Sequence, residues 1–217
     1  MVPFTAAGSL CGWIIYLLAV RTVHRNLSRN FVTNPWLPLP CALLTGTASF
    51  FIYSKTGSSS GCITDLLAVC FALFHALTDL ENGYIYDRAV IASLVIAAVF
   101  RISVEGTYGM RELVLGACAG AVPPALLSLV IRGAIGTGDI LLMCGIGALT
   151  GWKAALFIMY FSLIIGGFYA AALLLSGHVH ARTELPFAPF VLCGTLCVIV
   201  FRLTPYTCIS YIVNQIN

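Results

Sequence analysis

Charge is what this chain lacks most. Its 217 residues hold 11 Lys and Arg and 8 Asp and Glu, so 9% are charged. A soluble domain carries roughly 25%. So little charge cannot cover a water-facing surface, which excludes an ordinary soluble globular domain. The net charge of +3 is scattered. With no basic cluster and no RNA- or DNA-binding motif, nucleic acid is not expected as a partner. Positive charge is also missing ahead of the first apolar stretch, where a secretory signal has its basic region. That stretch is expected to be a retained span.

Ordered cysteine spacing is a second lack. Nine cysteines are present (Cys11, Cys41, Cys62, Cys70, Cys118, Cys144, Cys193, Cys197, Cys208), but no CxxC occurs. Cys193 and Cys197 share a helix face, with no His or further Cys nearby to complete a zinc set. They are expected to be reduced thiols packed as small apolar residues. No metal and no cofactor is expected.

Long apolar runs are what the chain has. Hydrophobic residues make up 60%, and the mean hydropathy is +0.99. This predicts an all-α fold: a polytopic transmembrane helical bundle in a lipid bilayer, a single domain over residues 1–217 with about eight spans. A spanning helix needs about 20 largely apolar residues. The first five candidates run from about Ala6 to Val20, Trp36 to Tyr53, Gly61 to Leu77, Ala89 to Ser103 and Leu113 to Ile131. Pro123-Pro124 is expected to kink the fifth. Ile140 to Ser176 is long enough for two spans, broken only by Gly151-Trp152-Lys153, and Leu185 to Leu203 forms the eighth.

Lys and Arg in short loops orient such a bundle. Arg21, Arg25 and Arg29 crowd the first loop, which puts that loop in the cytoplasm and the N-terminus outside. Alternation then places Arg88, Arg132 and Arg182 inside, and Lys55, Arg101, Arg111, Lys153 and Arg202 outside. Parity matters more than sign. The third span leads into Asp79, the sixth starts at Asp139, and two complete spans lie between them. Both acids are therefore expected at the same membrane face.

Two carboxylates held close do not both ionise easily. One can activate a water while the other protonates the carbonyl oxygen or the leaving amine. That hydrolyses a peptide bond without a metal. Asp139 stands near a helix N-terminus, where the dipole favours an anion, and Asp79 near a C-terminal end, where it does not. Gly136 and Gly138, in Gly136-Thr137-Gly138-Asp139, are expected to permit positive φ and leave room for an extended substrate strand.

Three stretches in order carry a resemblance. Thr78-Asp79-Leu80-Glu81-Asn82-Gly83-Tyr84-Ile85-Tyr86-Asp87 resembles the first acidic motif of the type IV prepilin peptidases, and Arg132 to Asp139 resembles their GxGD motif. Glu184-Leu185-Pro186-Phe187-Ala188-Pro189-Phe190 is similar to their Pro-Phe-Gly/Ala-Pro element, and Gly8-Ser9-Leu10 with Tyr16 and Arg21 is similar to their N-terminal block. The convincing match covers residues 71–190. The resemblance implies a GxGD-type aspartic endopeptidase with Asp79 and Asp139 as its catalytic pair. Its substrates would be type IV pilin-like precursors, serving pili and protein secretion. Each would lose a short basic leader after a glycine, at the cytoplasmic face of the cell (inner or plasma) membrane. By analogy, Pro186, Phe187 and Pro189, with Gly136 and Gly138, would position the extended segment.

The chain departs from that family in three places. Tyr86 stands where proline is usual, and Leu141 where lysine is frequent. Between the first two spans many members insert a cytoplasmic, zinc-type CxxC segment and also N-methylate the product. Here the connection is only about Arg21 to Asn34, without cysteine. A peptidase without an obvious methyltransferase module is expected.

Two other classes fit parts of the pattern. A related GxGD protease could act on another membrane substrate, such as a signal peptide. A non-enzymatic carrier could bind a cation through midplane acids, but that predicts acids deep in the spans and internal repeats. Among the remaining polar residues, His75 shares a helix face with Asp79 and is expected to be packed. Glu81 reads as a solvated loop carboxylate, Asp65 as an acid near the opposite interface, and Asp87 as a cap for the fourth span. His178 and His180 read as loop residues beside Arg182.

Overall fold

The structure is a computed structural model that describes residues 2–27, 36–56, 60–131, 135–176 and 185–201. These form seven helices: α1 (Val2–Leu27), α2 (Pro38–Thr56), α3 (Ser60–Asn82), α4 (Asp87–Val130), α5 (Thr137–Thr150), α6 (Trp152–Leu175) and α7 (Ala188–Phe201). No strand occurs among the described residues. A helix satisfies its backbone polar groups internally, as lipid demands. Hydroxyls in the spans bond back to their own helix, as Thr45 does to the Cys41 carbonyl at 3.0 Å and Ser162 to that of Ile158 at 2.6 Å. They can therefore be buried without an orphaned donor.

α1, α3, α4 and α6 are long and apolar enough to cross a membrane by length and composition. The chain is a multi-pass membrane protein. α5 has 14 residues, about 21 Å, and by itself is shorter than the roughly 30 Å hydrocarbon core.

α4 is the element that sets the topology. A straight helix of its 44 residues would extend about 66 Å, twice a bilayer core. It breaks at Gly106, with φ 61 and ψ −135, a conformation that only glycine adopts readily. Beyond the break the chain comes back on itself. A Cβ built on Gly109 would fall 2.8 Å from the carbonyl carbon of Arg101, whereas residues eight apart in one helix are about 12 Å apart. α4 is thus a hairpin whose limbs are residues 87–105 and 107–130.

Both limbs flank α5. In the first, Ser93 meets Gly145 and Arg101 donates to the Leu149 carbonyl at 2.7 Å, so numbers rise together and the limb is parallel to α5. In the second, Gly116 packs on Gly147 and Gly120 on Met143, so that limb is antiparallel. The hairpin therefore starts and ends at the end of the bundle where α5 begins. The core lies between these helices and α3, α6 and α7, with Ala72, Leu142, Met143, Ile146, Leu149, Ile158 and Val191 buried.

The structure corrects several boundaries. α3 continues to Asn82, past Asp79. The fourth and fifth spans fall on the two limbs of the hairpin, as expected, with the reversal at Gly106 in the gap between them. Pro123 and Pro124 lie inside helical backbone, and the only non-helical residue within α4 is Gly106. The reversal falls there because a left-handed φ redirects the chain, whereas each proline already has a helical φ and only deletes a donor. The long apolar block divides at Gly151 (φ 85), which starts α6 one residue later. The first loop beyond Leu27, Arg132, His178, His180, Arg182, Glu184, Arg202 and Cys208 lie outside the described residues.

Candidate active site

Asp79 is in the last turn of α3, where a carboxylate gains nothing from its own helix. It is buried, 7% exposed. The fold compensates from α7. The Ala188 backbone N–H donates to Asp79 Oδ2 at 2.9 Å, with the Phe187 amide close to the same carboxylate. The Phe187 carbonyl accepts from Phe190 and Val191, so Phe187 caps α7 and Ala188 is its first residue. The first N–H groups of any helix have no intrahelical partner and carry the positive end of its dipole. A buried acid is a fitting acceptor for them.

Asp139 is the third residue of α5, whose N-cap is Gly136. Its carboxylate lies beside the Gly136 amide, in the N3 position from which a capping box is closed. The two aspartates are near enough for their charges to act on each other. The dipole contrast expected from sequence does not separate them, because each receives amides from a helix N-terminus. Both acids stand at helix ends at one end of the bundle.

The glycines do a different job from the one expected. Gly136 has φ −67 and ψ 151, open to any residue, and neither it nor Gly138 has positive φ. A Cβ on Gly138 would lie 3.1 Å from the Ile85 Cβ, and one on Gly136 would lie 3.4 Å from Asp139 Oδ2. Gly138 lets the turn between α3 and α4 close against α5. Ser128 ties the end of the hairpin to the same loop by donating to the Ile135 carbonyl at 3.1 Å.

Pro186, Phe187 and Pro189 stand where the α7 amides meet Asp79. Asp87 is the first residue of α4 rather than its cap. The cap position is Tyr86, and Asp87 gains the dipole of the first turn. Glu81 is exposed. Asp65 is fourteen residues from Asp79 along α3, about 21 Å, and is not part of this end. No disulfide joins the cysteines described in the structure. Among the described residues no three His, Cys, Asp or Glu side chains gather as a metal-ligand set.

Sequence reading missed Ala188, an alanine that acts through its backbone. The available signal was a proline-flanked helix start, whose free amides need an acceptor. It also misread Arg101 as a loop charge. Arg101 is 6% exposed, pairs with Glu105 at 3.1 Å and pins the hairpin to the end of α5.

The Type IV leader peptidase family model matches residues 66–171. That span runs from α3 into α6 and contains both aspartates. Three relatives share the name prepilin leader peptidase/N-methyltransferase. One from Bacillus subtilis (strain 168) is 33% identical over 142 residues, covering 65% of this chain and 57% of its own length. One from Aeromonas hydrophila is 25% identical over 154 residues, 69% of this chain and 53% of its own. One from Burkholderia pseudomallei (strain 1026b) is 27% identical over 172 residues, 76% of this chain and 53% of its own. The chain thus spans about half the length of the curated relatives it matches. No solved structure matches it significantly.

Proposed function

We propose that this chain is a membrane aspartic endopeptidase that removes the leader from type IV pilin-like precursors, with Asp79 and Asp139 as its catalytic pair. The observation that carries the reading is two carboxylates, from helices separated by a complete hairpin, brought within electrostatic reach at one end of the bundle. One carboxylate takes a proton from water as the water attacks the scissile carbonyl. The other donates its proton to the carbonyl oxygen; as the intermediate collapses, the first passes the water-derived proton to the leaving amine and the second recovers a proton from the intermediate's hydroxyl. The α7 amides hold Asp79 in place while its partner varies in charge.

The family match and the peptidase half of the relatives' names support the substrate class. The scissile end of the bundle is assigned to the cytoplasmic face of the cell membrane, with the N-terminus outside, from the three arginines at positions 21, 25 and 29. Residues 1–217 act as a single domain. An apolar cavity of about 370 Å³ lies between α1, α3 and the first limb of α4, lined by Leu18, Leu67, Phe71, Phe74, Ala92 and Ile96. It is compatible with an apolar segment lying beside the spans while the leader stays in water.

The test is direct. Purified chain in detergent, incubated with a precursor bearing a short basic leader, should release the leader at one junction, and a chelator should not slow it. An intact precursor after prolonged incubation, with correctly folded enzyme, would remove the assignment. Loss of cleavage on chelation would replace the acid pair by a metal mechanism.

A further inference from the structure

Five side-chain atoms among the described residues are buried without a hydrogen-bond partner: His75 Nδ1, His75 Nε2, Asn82 Nδ2, Tyr86 Oη and Arg101 Nε. Native proteins leave few such groups, and each has a cause. Arg101 already uses its other two nitrogens, on Glu105 and on the Leu149 carbonyl. The other four atoms fall within residues 75–86, around Asp79. They are arranged in space as well as in sequence. His75, Asp79 and Asn82 stand at i, i+4 and i+7, one stripe along α3, and Tyr86 caps the helix that follows the adjoining turn. The His75 ring is completely buried and held edge-on by Phe71 and Phe74, at 4.5 and 5.2 Å between centroids. Those contacts spend none of its nitrogens.

Such a row costs stability unless something outside the fold bonds to it. The chemistry of the row says what. An apolar ligand would not satisfy it. The Asn82 amide nitrogen and the Tyr86 hydroxyl are uncharged donors in the segment that carries Asp79, and a donor N–H does not coordinate a bare cation. They suit neutral carbonyl oxygens, and an extended peptide offers one at every residue. We infer that Asn82 and Tyr86, with His75 at the floor of the stripe, bind the main chain of the substrate alongside Asp79. This rests on the peptidase reading and assigns the subsite that would hold the peptide. Binding through main-chain groups reads shape and extension rather than side chains.

The experiment is done in an Asp139→Ala background, so that a precursor binds without being cut. Affinity for a synthetic precursor, comprising leader, junction and following apolar residues, is measured for Asn82→Leu, Tyr86→Phe and His75→Leu. Melting temperature is recorded for each. Each variant should weaken binding by about three- to tenfold, the range of a single lost neutral hydrogen bond. Each should melt at or above the temperature of its parent, because an orphaned polar group has been replaced by an apolar one. A purely structural role predicts the opposite, a lower melting temperature. Unchanged affinity in all three variants, or affinity lost only in step with melting temperature, overturns the inference. If Asp139→Ala still cleaves, the acid pair is what fails, and the three affinities, measured with a precursor whose scissile amide is reduced to an uncleavable amine, still decide the subsite.

Discussion

Gly120→Ala pushes on the helix that carries Asp139. The added Cβ would sit 2.8 Å from the carbonyl carbon of Met143 in α5. Carbon atoms pack best at about 3.5–4.0 Å, and the obstacle is backbone, which has no rotamer to change. The second limb of α4 and α5 must therefore part by roughly 1 Å. Overpacking of this kind costs about 1–3 kcal/mol. Met143 is four residues from Asp139, a single turn, so the displacement reaches the acid. A misplacement of about 1 Å can lower a rate about 100-fold. The assay is precursor cleavage by the purified variant, with its melting temperature measured in the same detergent. Gly167→Ala is the control, since a Cβ there meets nothing within 4 Å, and it should change neither quantity. Wild-type cleavage and melting in Gly120→Ala would refute the idea that this contact sets the position of Asp139.

Ala188→Pro deletes the N–H that bonds Asp79 while keeping a φ suited to the first residue of a helix. A hydrogen bond to a charged group contributes about 1.5–3 kcal/mol, so cleavage should fall at least tenfold, whereas Ala188→Ser, which keeps the N–H, should retain most of it. Arg101→Met removes the bonds to Glu105 and to the Leu149 carbonyl at the far end of the hairpin. It should lower the melting temperature by several degrees, the effect of about 2 kcal/mol in a chain of this size. The cleavage rate measured well below that melting temperature should change less than in Gly120→Ala.

Most of the bundle was legible because lipid forces helices and tolerates few charges, so each apolar run announced itself. The positions of Asp79 and Asp139 at span ends were legible for the same reason. What was not legible depends on single backbone angles and on close approach. The gap between the fourth and fifth spans, with Glu105, Arg111 and Glu112, was legible as an interruption, but the residue that makes the reversal was not. Pro123-Pro124 is the louder signal there, yet Gly106 makes the turn. Gly136 and Gly138 stand out in the motif, but neither has an unusual φ, and the reason for Gly138 is the proximity of Ile85. The pairing of Asp79 with the start of α7 joins residues 109 apart through a backbone amide, and an amide leaves no mark in the sequence.

One set of rates decides whether the two acids work as a unit: cleavage of a precursor by Asp79→Ala, by Asp139→Ala and by the double variant, each shown to fold by its melting temperature. Groups that act together are strongly non-additive. Each single variant should fall to the background rate, and the double variant should be no slower than either. Appreciable cleavage by either single variant would show that the chemistry belongs elsewhere.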